Sequence, residues 1–221
     1  MTRFALAIAL FAVPLLADDN TDRLSKAATV LSEVMTAPDQ GIPQDLLNKA
    51  ECAIVVPGLK KGAFIIGAKY GRGYVSCRKQ QGPGWSAPAA VRVEGGSFGF
   101  QIGGSETDVV MLVLNERGVE RLLSSKFTLG GDASVAAGPV GRTAEAQTDA
   151  YMTAEILTWS RSRGVFAGIA LTGATLRQDL DVNRALYGKT LENKEILRGD
   201  LAAPAAASEL LSILNKYSSR K

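Results

Sequence analysis

The sequence predicts an α+β fold: a single domain in which a many-stranded, mainly antiparallel sheet or barrel is flanked by N- and C-terminal helices. Its 221 residues, 46% hydrophobic and 21% charged, suit one globular domain. The 23 glycines and an aromatic content of 6% favour short strands joined by tight turns. Helical periodicity is clear near both ends of the chain, and no linker or repeat divides it.

The first 17 residues are typical of a secretory signal peptide. Arg3 precedes an apolar run from Phe4 to Val13, and Pro14 and Ala17 follow it. The run is shorter than the about 20 residues that a membrane-spanning helix needs. We therefore expect residues 1–17 to be removed and residues 18–221 to form an exported domain, periplasmic or secreted, although the exact cleavage point stays open.

Two helices are predicted before the strands begin. Between Thr21 and Met35, Leu24, Leu31 and Val34 recur at the spacing of one helical face. Pro38 is expected to end this helix. A second short helix is expected over 44–49.

Strand patterns follow Pro57. We predict a hairpin with strands over 63–70 and 74–78 and a turn at 71–73, because Gly71 and Gly73 flank Arg72. Gly82, Pro83 and Gly84 predict the next turn. The strand pattern continues over 85–93 and again around Ser97.

Further elements complete the predicted domain. Residues 109–114 are apolar on both faces, as in a buried central strand, and Asn115 can cap the helix that follows. Three more strands are predicted within 133–140, 151–159 and 165–171. Helices are expected around 181–187, with Gly188 as its C-cap, around 190–197, and after Pro204.

Cys52 and Cys77 are the two cysteines of the chain. In an oxidising compartment they can form one disulfide, or they can be two small buried side chains on neighbouring strands. The sequence leaves both open. Two cysteines without any histidine exclude the common zinc sites, and we expect no metal and no cofactor.

Three patterns resemble catalytic or ligand-binding motifs, but each lacks a residue that the motif requires. Gly95, Ser97 and Gly99 spell the G-x-S-x-G elbow of hydrolases, but the chain has no histidine to act as base. Gly188-Lys189-Thr190 lacks the first glycine of a phosphate-binding loop, and the Asp179 region lacks the glycine of a calcium loop. We therefore expect no enzyme and no catalytic residues, and Asp179 is interpreted as a capping or turn residue.

A charge pattern remains. The net charge of +3 is too small to indicate a nucleic-acid-binding protein, but no acidic residue lies between Leu59 and Val93. This acid-free stretch predicts a local positive field around the first hairpin. The basic residues involved are Lys60, Lys61, Lys69, Arg72, Arg78 and Lys79.

Six ordered strings resemble the SYLF domain family over about residues 24–217. They are KYGRGYVSCR, GWSAPAAV, GFQIGGSETDVVMLVLN, LGGDASVAAGPVGR, WSRSRGVFAGIAL and NRALYG. The resemblance implies a non-catalytic domain that binds phosphoinositides through a basic, amphipathic N-terminal region and that can engage actin filaments. In this chain Arg23 and Lys26 lie in the corresponding helix.

The leading hypothesis is an exported binding module that associates with an anionic phospholipid surface through the basic hairpin and the first helix. The alternative is a structural or envelope-maintenance protein that binds a protein partner. Actin is not expected as a partner, because an exported chain would not meet it. Ser97 is expected to be a strand residue, with the neighbouring glycines at bulges or close backbone approaches.

Overall fold

In a computed structural model of the chain, the described residues are 15–37, 41–63, 66–98, 103–140, 153–162, 164–169 and 171–218. They form an α+β domain built around one nine-stranded, mainly antiparallel sheet that curls into a half-barrel. The strands are β1 Cys52–Ala63, β2 Ile66–Cys77, β3 Ala89–Phe98, β4 Gly103–Val113, β5 Lys126–Thr128, β6 Val135–Ala137, β7 Ile156–Ser162, β8 Val165–Gly168 and β9 Thr175–Gln178. The predicted fold class is confirmed.

The helices lie on both faces of the sheet and at both ends of the chain. They are α1 Leu15–Thr36, α2 Gln44–Lys49, α3 Glu116–Leu122, α4 Leu180–Tyr187, α5 Asn193–Arg198 and α6 Ser208–Tyr217. A short 3₁₀ helix, Ala205–Ala207, leads into α6. Among the described residues, no helix combines the length and apolarity needed to cross a membrane.

The strand order is β5-β9-β3-β2-β1-β4-β7-β6, with β8 also paired to β7. All pairs are antiparallel except β6 with β7. The β1–β2 hairpin therefore lies at the centre of the sheet, between β3 and β4. The buried strand predicted over 109–114 is confirmed as part of the central β4.

Side chains alternate between two hydrophobic cores, one on each face of the sheet. On β1, Ala53 and Val55 belong to the core under α1 and α6, whereas Ile54 and Val56 belong to the opposite core. This alternation follows from the two-residue period of a strand. Both faces of the central strands are covered, so their apolar residues form nearly continuous runs.

The first helix packs as its periodicity predicts. Leu24, Leu31 and Val34 are fully buried in the core on that face of the sheet. The helix begins at Leu15, so it passes through the predicted cleavage point after Ala17. Residues 1–14 and Pro38 lie outside the described residues, and the signal peptide stays a prediction.

The local capping predictions are confirmed. The Asn115 side chain accepts a hydrogen bond from the Gly118 N–H at the start of α3, and Gly188 ends α4 with a φ of 71°. The Asp179 side chain accepts a bond from Val182 N, 3.5 Å away, at the N-terminus of α4. Its interpretation as a capping residue is therefore confirmed.

The hairpin predicted over 63–78 is wrong. Residues 66–77 form one continuous strand, and its hairpin partner is β1, with Lys61 opposite Lys69 and Cys52 opposite Cys77. The register of β1 shifts between Val55 and Lys60, which marks a bulge, and β2 passes close to it. A Cβ on Gly73 would lie 2.7 Å from the Val56 Cα, so this glycine permits close backbone approach and not a turn.

Candidate functional site: the charged surfaces

The predicted basic residues do not form one cluster. Because β2 is continuous and a strand rises about 3.4 Å per residue, Lys69 and Lys79 are separated by roughly 30 Å. The end of the β1–β2 hairpin keeps Lys60, Lys61 and Lys69 together, whereas Arg78 and Lys79 lie beyond the other end of β2. We call Lys60, Lys61 and Lys69 the hairpin-end lysines.

Lys61 and Lys69 are direct cross-strand partners and so point to the same face of the sheet. Their neighbours across the adjacent strands are Ser105 and Gly95, which carry no charge. Burial and, after it, the charge of Lys69 lower the pKa of Lys61. Two like charges held opposite each other destabilise the sheet, and an anion placed between them would relieve that repulsion.

Lys60 points to the opposite face, where Glu106 and Tyr70 are its cross-strand partners. It lines a cleft of about 420 Å³ between α1 and the β1–β4 region of the sheet. Eight charged side chains line this cleft, four of each sign: Asp19, Asp22, Glu106, Asp108, Arg23, Lys26, Lys60 and Arg161.

The charges of this cleft compensate one another. Arg23 pairs with Asp19 and Lys26 with Asp22, each at 2.7 Å and one helical turn apart. The structure therefore places the two predicted lipid-binding residues of α1 in internal ion pairs. The apolar face of the same helix is used for the hydrophobic core.

A second set of ion pairs connects the sheet side of this cleft to α1. Arg161 contacts Asp108 at 2.6 Å and also pairs with Glu33 of α1. Burial raises the pKa of Asp108, opposed by a hydrogen bond from Gly58 N at 2.9 Å. These pairs join α1 to β4 and β7.

Arg78 is buried, with 8% of its surface exposed. Its guanidinium donates to the carbonyls of Leu47 and Ala50, both at 3.1 Å, and contacts Ser218 near the end of the chain. The Trp85 ring lies 3.9 Å from its Cζ. Arg78 therefore connects α2, the β2–β3 connection and the C-terminal end of α6 inside the protein.

Arg72 is half-buried on β2, and its Nε lies 3.0 Å from the Asp179 carboxylate. Arg92 on β3 is its cross-strand partner and approaches the same carboxylate at 3.6 Å. Sequence reasoning missed Arg92 because its relation to Arg72 depends on strand register. The alternation of Arg92 with Glu94, and of Arg177 with Asp179, is the signal that could have indicated a charged sheet face.

Cys52 and Cys77 are joined as a disulfide between β1 and β2, which answers the question that the sequence left open. Both residues are buried, with exposed fractions of 0% and 3%. They are direct cross-strand partners at the open end of the β1–β2 pair, remote from the hairpin-end lysines.

Ser97 lies in β3, which pairs with β2 through Gly67, so its prediction as a strand residue is confirmed. The next described element is β4 and not a helix, unlike a nucleophile elbow. A Cβ on Gly95 would lie 3.2 Å from the Ala174 Cα, whereas one on Gly96 would meet little. In the described part of the chain, no cluster of three or more Cys, Asp or Glu could hold a metal ion.

These features define a class: an α+β domain whose prominent surfaces carry charge and in which Ser97 lies on a strand, as expected. Residues 94–217 match a family described as "Ysc84: Las17-binding protein actin regulator". The chain is 36% identical over 201 residues to the "SH3 domain-containing YSC84-like protein 1" of Rattus norvegicus, covering 88% of this chain and 58% of that protein. It is 35% identical over 197 residues to "Protein YSC84" of Saccharomyces cerevisiae, covering 86% and 42%.

The chain therefore belongs to the Ysc84 (SYLF) family, as its resemblance predicts. It spans less than two thirds of the length of these relatives. The family description and the names of these relatives refer to SH3-containing proteins and an actin regulator, and none of them names an enzyme.

Proposed function

We propose that this chain is a non-catalytic binding module that associates with anionic phospholipid surfaces through the hairpin-end lysines. The observation that carries this proposal is the Lys61–Lys69 pair: two cations face each other across β1 and β2 with uncharged cross-strand neighbours. A lipid phosphate between them supplies the missing counter-charge, and each lysine near an anionic membrane contributes on the order of 1 kcal/mol.

The proposed membrane contact uses fewer residues than the sequence predicted. Arg78 makes internal contacts, Lys79 lies at the far end of β2, and Arg23 and Lys26 are paired within α1. We therefore assign the membrane contact to the hairpin end and not to α1. Export to the periplasm or the outside of the cell is part of the same proposal and is supported by the composition of residues 1–17.

The double variant Lys61→Glu/Lys69→Glu is expected to reduce binding to anionic vesicles by at least about ten-fold, because two attractive charges become repulsive. The measurement is co-sedimentation with phosphatidylcholine vesicles that contain or lack phosphatidylserine, at low and high salt. Lys79→Glu is the matched control, since it changes charge in the same sequence region but at the other end of β2. Equal binding by neutral vesicles, or equal loss in the Lys79→Glu control, would contradict the lipid contact at the hairpin end.

Protein binding is the second candidate function, favoured by the names of the relatives. The family description links it to Las17 and to actin regulation, and the alternative prediction for this chain is a structural or envelope partner. The exclusion of actin depends on export and stays a prediction. Co-sedimentation with actin filaments, run beside the vesicle experiment, distinguishes the two candidates.

A further inference from the structure

Four basic residues lie in one row across four neighbouring strands of the sheet. Arg72 on β2 is paired with Arg92 on β3, Arg92 with Arg177 on β9, and Arg177 with Lys126 on β5. Direct cross-strand partners point to the same face, and neighbouring strands lie about 4.8 Å apart. The row, which we call the arginine row, therefore extends over about 14 Å.

A buried carboxylate lies beside the first two members of the row. Asp179 is 1% exposed, and its Oδ2 lies 3.0 Å from the Nε of Arg72 and 3.6 Å from the Nε of Arg92. Neither contact has hydrogen-bond geometry, so Asp179 supplies a negative charge beside the two guanidinium groups without a directed hydrogen bond. The ion-pair contacts of both side chains run through Nε, and within the described ranges their Nη atoms donate no hydrogen bond.

A second carboxylate of the protein, that of Glu94, also contacts the row. The Glu94 side chain lies 3.3 Å from Nη1 of Arg177 and 3.8 Å from Nε of Arg92, and it is 33% exposed. Four cations against Asp179 and Glu94 leave a net local charge of +2. Glu94 lies beside the row and is in contact with solvent. Further carboxylates can therefore approach the row next to Glu94.

The position of the row distinguishes a protein ligand from a membrane. The side chains of Arg72 and Arg92 are only 34% and 27% exposed, because α1 and α4 cover the next residues of the same face, Tyr74 and Ala90. A flat bilayer reaches protruding groups, whereas a side-chain carboxylate can enter a recess. Tyr70, 44% exposed and two residues from Arg72 on the same face, adds the Tyr and Arg composition that is enriched at protein interfaces.

The length of the row also fits an extended chain. Alternate residues of a strand lie about 6.8 Å apart, so three alternate side chains span about 14 Å, the length of the row. The planar guanidinium group binds carboxylates with two parallel hydrogen bonds. We propose that the arginine row binds an extended acidic segment of a protein partner, whose Asp or Glu side chains contact the Nη atoms of Arg72 and Arg92.

This proposal is independent of the lipid contact, because none of its residues is a hairpin-end lysine. The test uses the full chain and a fluorescent oligoglutamate peptide, with an uncharged peptide of the same length as the control ligand, followed by anisotropy. Arg177→Glu is expected to weaken binding of the acidic peptide by at least about ten-fold, since it replaces an attractive charge by a repulsive one. Arg177 is suitable because its side chain is 43% exposed.

Glu94→Gln supplies the opposite expectation: binding tightens by about three-fold, because the competing carboxylate is removed. Lys79→Glu, with the same charge change as Arg177→Glu but outside the row, is expected to leave the affinity within about two-fold. Failure of the acidic peptide to bind, or equal weakening by Arg177→Glu and Lys79→Glu, would overturn the proposal. So would a loss of anionic-vesicle binding in Arg177→Glu with the peptide affinity unchanged, which would make the row a membrane surface.

Discussion

Arg78→Ala is expected to lower the free energy of unfolding by about 3 kcal/mol or more, since hydrogen bonds to a charged group contribute roughly 1.5–3 kcal/mol each. The guanidinium donates to the Leu47 and Ala50 carbonyls and contacts Ser218, and it stacks on Trp85. Truncation removes all these contacts together. It therefore weakens the attachment of α2 and of the C-terminal end of α6 to the rest of the domain. Urea denaturation of the full chain, followed by fluorescence, measures the change.

Two further variants test whether the buried guanidinium contacts cause the loss of stability expected in Arg78→Ala. Lys79→Ala removes the neighbouring cation, which is exposed, and is expected to change stability by no more than about 0.5 kcal/mol. Arg78→Lys keeps the charge but loses the planar arrangement of donors, so we expect roughly half of the loss seen in Arg78→Ala. A change below about 1 kcal/mol in Arg78→Ala would show that this buried group is not a structural connector.

Elements with local sequence signals could be predicted closely. The helix over 44–49 has the observed bounds of α2, and the caps at Asn115 and Gly188 lie where their side-chain chemistry and backbone freedom place them. These signals depend only on residues within one or two turns of each other. The alternating and continuous apolar patterns likewise indicated a buried sheet.

Elements defined by distant partners were missed. β5 and β9 are three and four residues long, and neither was predicted, because a strand this short is recognised by what it pairs with and not by its own period. The arginine row depends on both of them. Its members are separated by up to 105 positions in the sequence, from Arg72 to Arg177, and only the register brings them together.

The prediction that the basic residues form one cluster was wrong for a related reason. A stretch without acidic residues predicts a positive field only if its chain folds back on itself, and residues 66–77 instead form one continuous strand. Arg78 is buried, and Arg72 pairs with the carboxylate of Asp179, more than 100 residues away in the sequence. Of the six predicted residues, Lys60, Lys61 and Lys69 do lie together, at the end of the β1–β2 pair, where Lys61 faces Lys69.

Gly73→Ala tests whether residues 71–73 form a turn or belong to the continuous strand β2. In a Gly71–Gly73 turn exposed to solvent, alanine would be tolerated. In β2 its Cβ would lie 2.7 Å from the Val56 Cα and would collide with the Val55 carbonyl oxygen, both of them backbone atoms of the β1 bulge. Backbone at a central strand cannot move aside as a flexible side chain can, so we expect a loss of at least about 3 kcal/mol.

Gly62→Ala is the matched control for Gly73→Ala. It also lies in the β1–β2 pair, but a Cβ at this position would meet no atom within 4 Å, and its φ is not positive. We expect its free energy of unfolding to stay within about 1 kcal/mol of the parent, since the added methyl group restricts the unfolded chain without straining the folded one. Because the two variants make the same chemical change, a difference between them reports on close approach to β1 alone. If both were tolerated equally in urea denaturation, the chain would turn at Gly71–Gly73, and the continuous strand that separates Lys69 from Lys79 would be wrong.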